Sequence, residues 1–125
     1  MNILLVEPDT VLADTIRAAL ETAGYLVTWK RSAQTALNSL DETVPDLIIL
    51  ELQLGVHNGI ELLYEMNSYP EWQHIPVIVH TINTKAQDLV YSQSFGQLHV
   101  QAVLYKLHTS TQQLVKAVKQ FALTT

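Results

Sequence analysis

PDLIILELQLGVHNGIEL, residues 45–62, decides the fold. Leu47-Ile48-Ile49-Leu50 is an unbroken apolar run, with Pro45-Asp46 before it and Gly55 and Gly59 after it. The run is too short for a buried helix and lacks the alternation of a half-exposed strand. It fits a strand covered on both faces, as in a parallel sheet. Glu51 follows at the C-terminal end of the run, the end where ligands and chemistry gather in open α/β sheets. After a loop, Ile60, Leu62-Leu63 and Met66 recur at helical spacing from about Asn58 onward.

The flanking sequence repeats this unit. Asn2–Val6 predicts a first strand that stops at Glu7, because Pro8 biases its predecessor to extended geometry and cannot donate to a ladder. Asp9 or Thr10 caps a helix with Leu12, Ile16, Ala19-Leu20 and Ala23 on one face, closed by Gly24. Tyr25–Trp29 reads as the second strand, and Ser32 caps a helix carrying Ala33, Ala36-Leu37 and Leu40. Beyond the third helix, the stretch from Tyr69 to His74 reads as a loop. Ile75–Thr81 then reads as the fourth strand, with Pro76 near its entry, where proline is tolerated. A fourth helix is expected over Thr84–Phe95 and a short fifth strand over Ala102–Tyr105. Ser110 with Gln113 forms a capping box for a last helix burying Leu114, Ala117-Val118 and Phe121. Strands alternating with helices at these lengths force parallel pairing and right-handed crossovers. The expectation is an α/β three-layer sandwich forming one domain over residues 1–125.

Composition narrows the function. A chain of 125 residues that is 48% hydrophobic can bury a real core. No apolar segment approaches the roughly 18 residues of a membrane span, and no basic region precedes Ile3, so neither a membrane role nor a signal peptide is expected. The absence of cysteine removes thiolate chemistry and disulfides and fits a cytoplasmic protein. Net charge is −5, and no Lys or Arg lies between Arg31 and Lys85, where Asp41, Glu42, Asp46, Glu51, Glu61, Glu65 and Glu71 all fall. Nucleic-acid surfaces need clustered cations, so no nucleic-acid partner is expected.

Four side chains fall at C-terminal strand ends: Glu7, Glu51, Thr81 and Lys106. In a doubly wound sheet those ends meet at the switch point, and two carboxylates, a hydroxyl and an ammonium there suggest phosphate or metal chemistry. An acidic residue after the first strand, PDLIILE with Gly59-Ile60-Glu61-Leu62 behind it, IPVIVHT, and Lys106 after the fifth strand complete a familiar order. The chain resembles the receiver domain of bacterial two-component response regulators from Asn2 to about Ala122. The resemblance implies a flavodoxin-like (CheY-like) fold with strand order 2-1-3-4-5. It implies a phosphorelay in which a histidine kinase phosphorylates an aspartate with the help of Mg²⁺, and in which Thr or Ser and Lys hold the phosphoryl oxygens.

Several of those parts are absent here. Glu51 stands at the phosphoacceptor position, and the acidic pair reads Glu7-Pro8, without its second carboxylate. Gly55 and Leu107 replace the family's prolines, Val103 occupies the aromatic switch position, and the segment from Gly96 to Lys106 is a few residues longer than usual. Glu carries its carboxylate one methylene further out than Asp, and in-line transfer is unforgiving of displacements of about 1 Å. Mg²⁺ demands near-octahedral oxygen ligands, and Pro supplies no side-chain oxygen. The expectation is a pseudo-receiver that is not an enzyme, with weak or absent Mg²⁺ binding, no other cofactor and no small-molecule substrate. It would act through a protein partner, either a signalling protein or a second copy of the chain. The competing reading is an ordinary phosphorylatable receiver. An FMN-binding flavodoxin would need a phosphate loop after the first strand, where Glu7-Pro8-Asp9 would instead repel phosphate.

Glu51 is either a vestigial carboxylate or a partner of Lys106 and Thr81. Asp9 suits a helix cap better than a replacement metal ligand. His80 reads as a hydrogen-bonded core histidine, and His57, His74, His99 and His108 are scattered in loops without ligand spacing. Tyr91, Phe95, Leu98, Val100 and Tyr105 gather around the fourth helix and fifth strand, the face receivers commonly use for partners. Of these, Tyr91, Leu98, Val100 and Tyr105 are the expected partner face.

Overall fold

A computed structural model of the chain describes residues 1–55, 58–90 and 99–124. Its five strands are β1 (Asn2–Val6), β2 (Leu26–Lys30), β3 (Leu47–Leu50), β4 (Val77–Thr81) and β5 (Val100–Tyr105). They form one parallel sheet in the order β2-β1-β3-β4-β5. The described helices are α1 (Thr10–Thr22), α2 (Ala33–Glu42), α3 (Gly59–Asn67), α4 (Ala86–Val90) and α5 (Thr111–Thr124). Residues 91–95 of the expected fourth helix, with Tyr91 and Phe95, lie outside the described residues, as do Gly96 and Leu98.

Alternate residues of each central strand point to opposite faces, and that alternation builds two cores. Leu4, Val6, Ile48 and Leu50 pack under α2 and α3, while Ile3, Leu5, Leu47 and Ile49 pack under α1 and α5. All four residues of β3 are buried, as expected for a strand covered on both sides. The helix starts are chemically marked. The Asp9 carboxylate accepts from the Leu12 N–H at 3.1 Å, so Asp9 caps α1, and Gly24 closes the helix with φ of +99°. Ser32 and Thr35 form a capping box at α2, Asn58 caps α3, and Ser110 with Gln113 forms the expected box at α5.

Three strands begin elsewhere than the sequence predicts. β4 starts at Val77 instead of Ile75, since Pro76 enters the sheet only through its carbonyl, which accepts from Ile48 N–H at 3.0 Å. β5 starts at Val100 instead of Ala102. Val77 pairs with Val100 and Ile78 with Ala102, so a register irregularity between them accommodates Gln101. β2 is displaced by a single residue, spanning Leu26–Lys30.

Candidate functional site

Because all five strands are parallel, their C-terminal ends share one rim. β1 delivers Glu7 there, β3 delivers Glu51, β4 ends on Thr81 and β5 leads into Lys106. The sequence-derived quartet converges. The Lys106 ammonium lies 2.7 Å from Glu7 Oε1 and 2.7 Å from Glu51 Oε1. Glu7 and Glu51 are 1% and 2% exposed and Thr81 is fully buried.

Glu51 is held at both oxygens. Lys106 and the Ile82 N–H (3.0 Å) donate to Oε1, while the Thr81 hydroxyl and the Gln53 N–H (3.1 Å) donate to Oε2. Thr81 is itself placed by the Asn83 N–H, which donates to Oγ1 at 3.1 Å. Four donors around one carboxylate form a closed oxyanion cradle, and Glu51 is no vestigial surface residue. Glu7 has fewer donors: Lys106 and the Asp9 N–H at 3.0 Å on Oε2. Its backbone is pinned by Glu7 N–H donating to the Lys30 carbonyl and by Trp29 Nε1–H donating to the Glu7 carbonyl at 2.8 Å.

The protonation equilibria follow these contacts. Burial pushes the Glu51 carboxyl up, but the hydrogen bonds from Lys106, Thr81, Gln53 and Ile82 together outweigh it and hold Glu51 below its ordinary value. Burial also pushes Glu7 up; Lys106 and Asp9 offset only part of this, and Glu7 stays raised, with the Glu51 charge adding to the effect. Burial pushes the Lys106 ammonium down, yet hydrogen bonds to Glu51 and Glu7 overcome it and raise Lys106.

The donor set does not fit a divalent metal at this rim. Lys106 occupies the position between Glu7 and Glu51 where a dication would be shared, Pro8 brings no side-chain oxygen, and the Asp9 carboxylate is spent on capping α1. Among the described residues, no group of three or more His, Asp or Glu side chains is arranged to hold a metal ion.

Gly59 takes part in this geometry in a way its position in the sequence does not announce. A Cβ there would lie 2.8 Å from the Glu51 carbonyl oxygen and 2.9 Å from Leu52 Cα, and the Gly59 N–H donates to the Leu52 carbonyl at 2.8 Å. Only glycine lets α3 start this close to the end of β3. The Gln53 and Ile82 N–H donors were equally invisible in the sequence, because every non-proline residue carries one.

His80 is buried at 4% exposure as expected, but its Nδ1 has no hydrogen-bond partner among the described residues. Burial, with the Lys106 charge nearby, lowers His80 to about 4, so the ring is neutral near pH 7. The loop histidines are not all scattered. The rings of His74 and His99 meet edge to face with centres 5.7 Å apart. On the expected partner face, Val100 and Tyr105 are half-buried and pack against the α2–α3 core, and the Tyr105 hydroxyl accepts from the Gln87 N–H of α4 at 3.0 Å. Tyr91 and Leu98 lie outside the described residues. No helix among the described residues is long and apolar enough to cross a membrane.

Known proteins resemble this chain in sequence and fold. The response regulator receiver domain model matches residues 3–119. The swarming motility regulation protein RssB of Serratia marcescens is 36% identical over 96 residues, which is 77% of this chain and 43% of RssB, so the match spans less than half of that longer protein. Among solved structures, the phosphorylated cyanobacterial phytochrome response regulator RcpA superimposes with a TM-score of 0.80 at 29% identity, covering 98% of this chain and 93% of RcpA. The Mn²⁺-bound form of response regulator Rcp1 gives a TM-score of 0.80 at 26% identity, covering 98% of this chain and 94% of Rcp1.

Proposed function

The chain belongs to the response regulator receiver domain family, and from that premise we propose that it is a pseudo-receiver: a signalling domain that works by protein–protein contact without being phosphorylated. The observation that carries this reading is the closed cradle around Glu51. The carboxylate reaches Thr81, Lys106 and the Gln53 and Ile82 N–H groups at once. Thr and Lys are the side chains by which receivers hold a phosphoryl group, so Glu51 supplies a tethered anion in place of a transferable one.

The chemistry of transfer supports the same reading. An acceptor oxygen must be exposed to the donor and in line with the leaving group. Glu51 is buried, and both of its oxygens are engaged. A metal that would neutralise the developing charge lacks ligands, because Lys106 already does so as a fixed monocation. The domain is therefore read as a protein-binding module, not an enzyme, with its signal fixed by sequence. The partner is a signalling protein or a second copy of the chain, and the surface at the α4–β5 edge, with Tyr91, Leu98, Val100 and Tyr105, is the docking face carried over from the family resemblance.

The competing reading, a phosphorylatable receiver, draws on the likeness to RcpA, whose structure is of a phosphorylated protein. Incubation with acetyl phosphate and Mg²⁺ followed by intact-mass measurement separates the two. The expected outcome is an unchanged mass and an unchanged NMR spectrum. A near-stoichiometric, acid-labile phosphoryl adduct mapped to Glu51 would establish the competing reading.

A further inference from the structure

The rim occupied by Glu51 is one end of the sheet. The other end, where the parallel strands begin, holds a cavity of about 670 Å³ whose walls include Asp46, His74, Pro76, His99 and Gln101. His74 and His99 are far apart in sequence and share no motif, yet their ring centres are 5.7 Å apart with planes at 79°. Topology causes the meeting: His74 precedes β4, His99 precedes β5, and those strands are neighbours in the sheet.

We propose that His74 and His99 form a two-imidazole binding site for a divalent transition-metal ion, at the opposite end of the sheet from Glu51.

The ring spacing fits that chemistry. Two imidazole nitrogens bound to one Zn²⁺ at about 2.0–2.1 Å with a tetrahedral angle hold the ring centres roughly 5 Å apart. The separation of 5.7 Å needs only small side-chain rotations to close on a metal. Crossed ring planes are no obstacle, because each imidazole turns freely about its metal–nitrogen bond. Both side chains are exposed, so an ion can enter from solvent and water can complete its coordination.

Both backbones are held in place beforehand. The His99 carbonyl accepts from the Val77 N–H at 2.7 Å, tying the residue to β4. On the other side, the turn before β4 is closed by Gln73 N–H to the Tyr69 carbonyl at 3.0 Å and Ile75 N–H to the Trp72 carbonyl at 3.2 Å, with Trp72 and Ile75 buried. The Asp46 carboxylate stands on the same cavity wall, where it accepts from the Asn2 N–H at 2.7 Å. Imidazole selects Zn²⁺, Cu²⁺ and Ni²⁺ over Mg²⁺ and Ca²⁺, which prefer oxygen. The ion would clamp the turn before β4 to the start of β5.

The experiment is a Zn²⁺ titration of the whole chain and of His74→Asn and His99→Asn, followed by calorimetry, by histidine NMR signals and by the thermal unfolding midpoint. Both positions are exposed, so neither substitution opens the core. The expected result is one ion per chain, with ring signals of His74 and His99 shifting together and a midpoint that rises with Zn²⁺. Loss of an outer-shell partner alone costs a metal site roughly 10–100-fold in affinity, so each variant should lose at least tenfold and its midpoint should no longer follow Zn²⁺. Binding of Zn²⁺ with the same affinity in both variants, or no binding to the parent chain at millimolar Zn²⁺, would overturn the site. Neither result bears on Glu51, so this proposal and the pseudo-receiver reading fail independently.

Discussion

Glu51 holds its carboxylate one methylene further from the backbone than aspartate would, and in that place it meets four donors. From the end of β3, the longer arm carries the carboxylate to the Thr81 hydroxyl on β4 and to Lys106 beyond β5. The residue types at the rim and the meeting of Glu51 with Lys106 were legible in the sequence, since strand ends in a parallel sheet share an edge. The completeness of the cradle was not, because half of its donors are backbone N–H groups. Lys106 is the countercharge for two carboxylates, each almost fully buried. Removing one member of a buried ionic cluster typically costs roughly 3–5 kcal/mol, because the partners are left uncompensated. Lys106→Met should therefore destabilise the domain by an amount in that range at pH 7, and should raise the carboxyl pKa of both Glu7 and Glu51. A proton on Glu7 can replace part of the lost charge, so the deficit should shrink as the pH is lowered toward 5. Urea unfolding at both pH values, with carboxyl NMR titration, measures this; equal deficits and unmoved titrations would show that Lys106 is not the countercharge. In the parent chain, Glu51 is lowered from 4.5, so its contribution is present above that pH and is lost as pH falls through the folded value. Lys106 is raised from 10.5, so its contribution is present below that pH and is lost as pH rises through the folded value. Glu7 is raised from 4.5, so its ionisation opposes folding as pH rises past that point and offsets part of the Glu51 gain.

At the scale of elements, periodicity placed the five strands and five α-helices that the structure describes, though not the short 3-10 turn at Lys106–His108, and the misses have local causes. β5 begins earlier than predicted; Gln101 is an extra residue between the Val77–Val100 and Ile78–Ala102 pairs, an irregularity that the alternation of Val100-Gln101-Ala102 does not reveal. Bulges of this kind have no signature in composition. The start of α3 also carries a constraint that the helical pattern does not reveal. Gly59→Ala would place a methyl 2.8 Å from the Glu51 carbonyl oxygen and 2.9 Å from Leu52 Cα, both backbone atoms that cannot step aside. Overpacking of this type costs about 1–3 kcal/mol, and here the strain falls on the segment that aims Glu51. The expected outcome is a lower denaturation midpoint together with a raised Glu51 carboxyl pKa in Gly59→Ala. A stability loss without any change at Glu51 would show that α3 only packs and does not position. The junction of α4 with β5 supplies a second test. Tyr105, paired with Thr81 across the sheet, accepts from the Gln87 N–H at the start of α4. Tyr105→Phe removes that acceptor, worth about 1 kcal/mol for a single hydrogen bond. Amide exchange at Gln87 should then accelerate by roughly fivefold, with distant amides in α1 unchanged. Uniform acceleration over the whole chain would instead mean that the bond supports global stability.

For the whole molecule, the pseudo-receiver reading proposed above raises the question of whether the rim could be made to accept a phosphoryl group. The sheet order, the two cores and the convergence of β1, β3, β4 and β5 are intact, so the scaffold is not what prevents it. On that reading, what stands in the way is local: Glu51 in its cradle, Pro8 without an oxygen, and Lys106 bridging the two carboxylates. Glu51→Asp alone withdraws the carboxylate by one methylene, which breaks the cradle and frees Lys106, yet leaves the metal short of a ligand at residue 8. Pro8→Asp alone adds that ligand beside a Glu51 that is still held by four donors. Each single variant should therefore bind Mg²⁺ no better than the parent chain, and only Pro8→Asp with Glu51→Asp should gain Mg²⁺ affinity and phosphoryl transfer from acetyl phosphate. Trp29 is a built-in reporter, because its indole N–H donates to the Glu7 carbonyl at 2.8 Å and should sense an ion beside that residue. The measurement is Trp29 fluorescence against Mg²⁺ concentration, with Trp72, buried under the other face, replaced by Phe in every variant to remove its background. A saturating Mg²⁺ response confined to the double variant is the expected outcome. A response of equal strength in the parent chain would mean that Lys106 gives way to the metal and that the rim is not closed. A silent double variant that remains folded would mean that the two substitutions are not the whole of what separates this chain from a phosphorylated receiver.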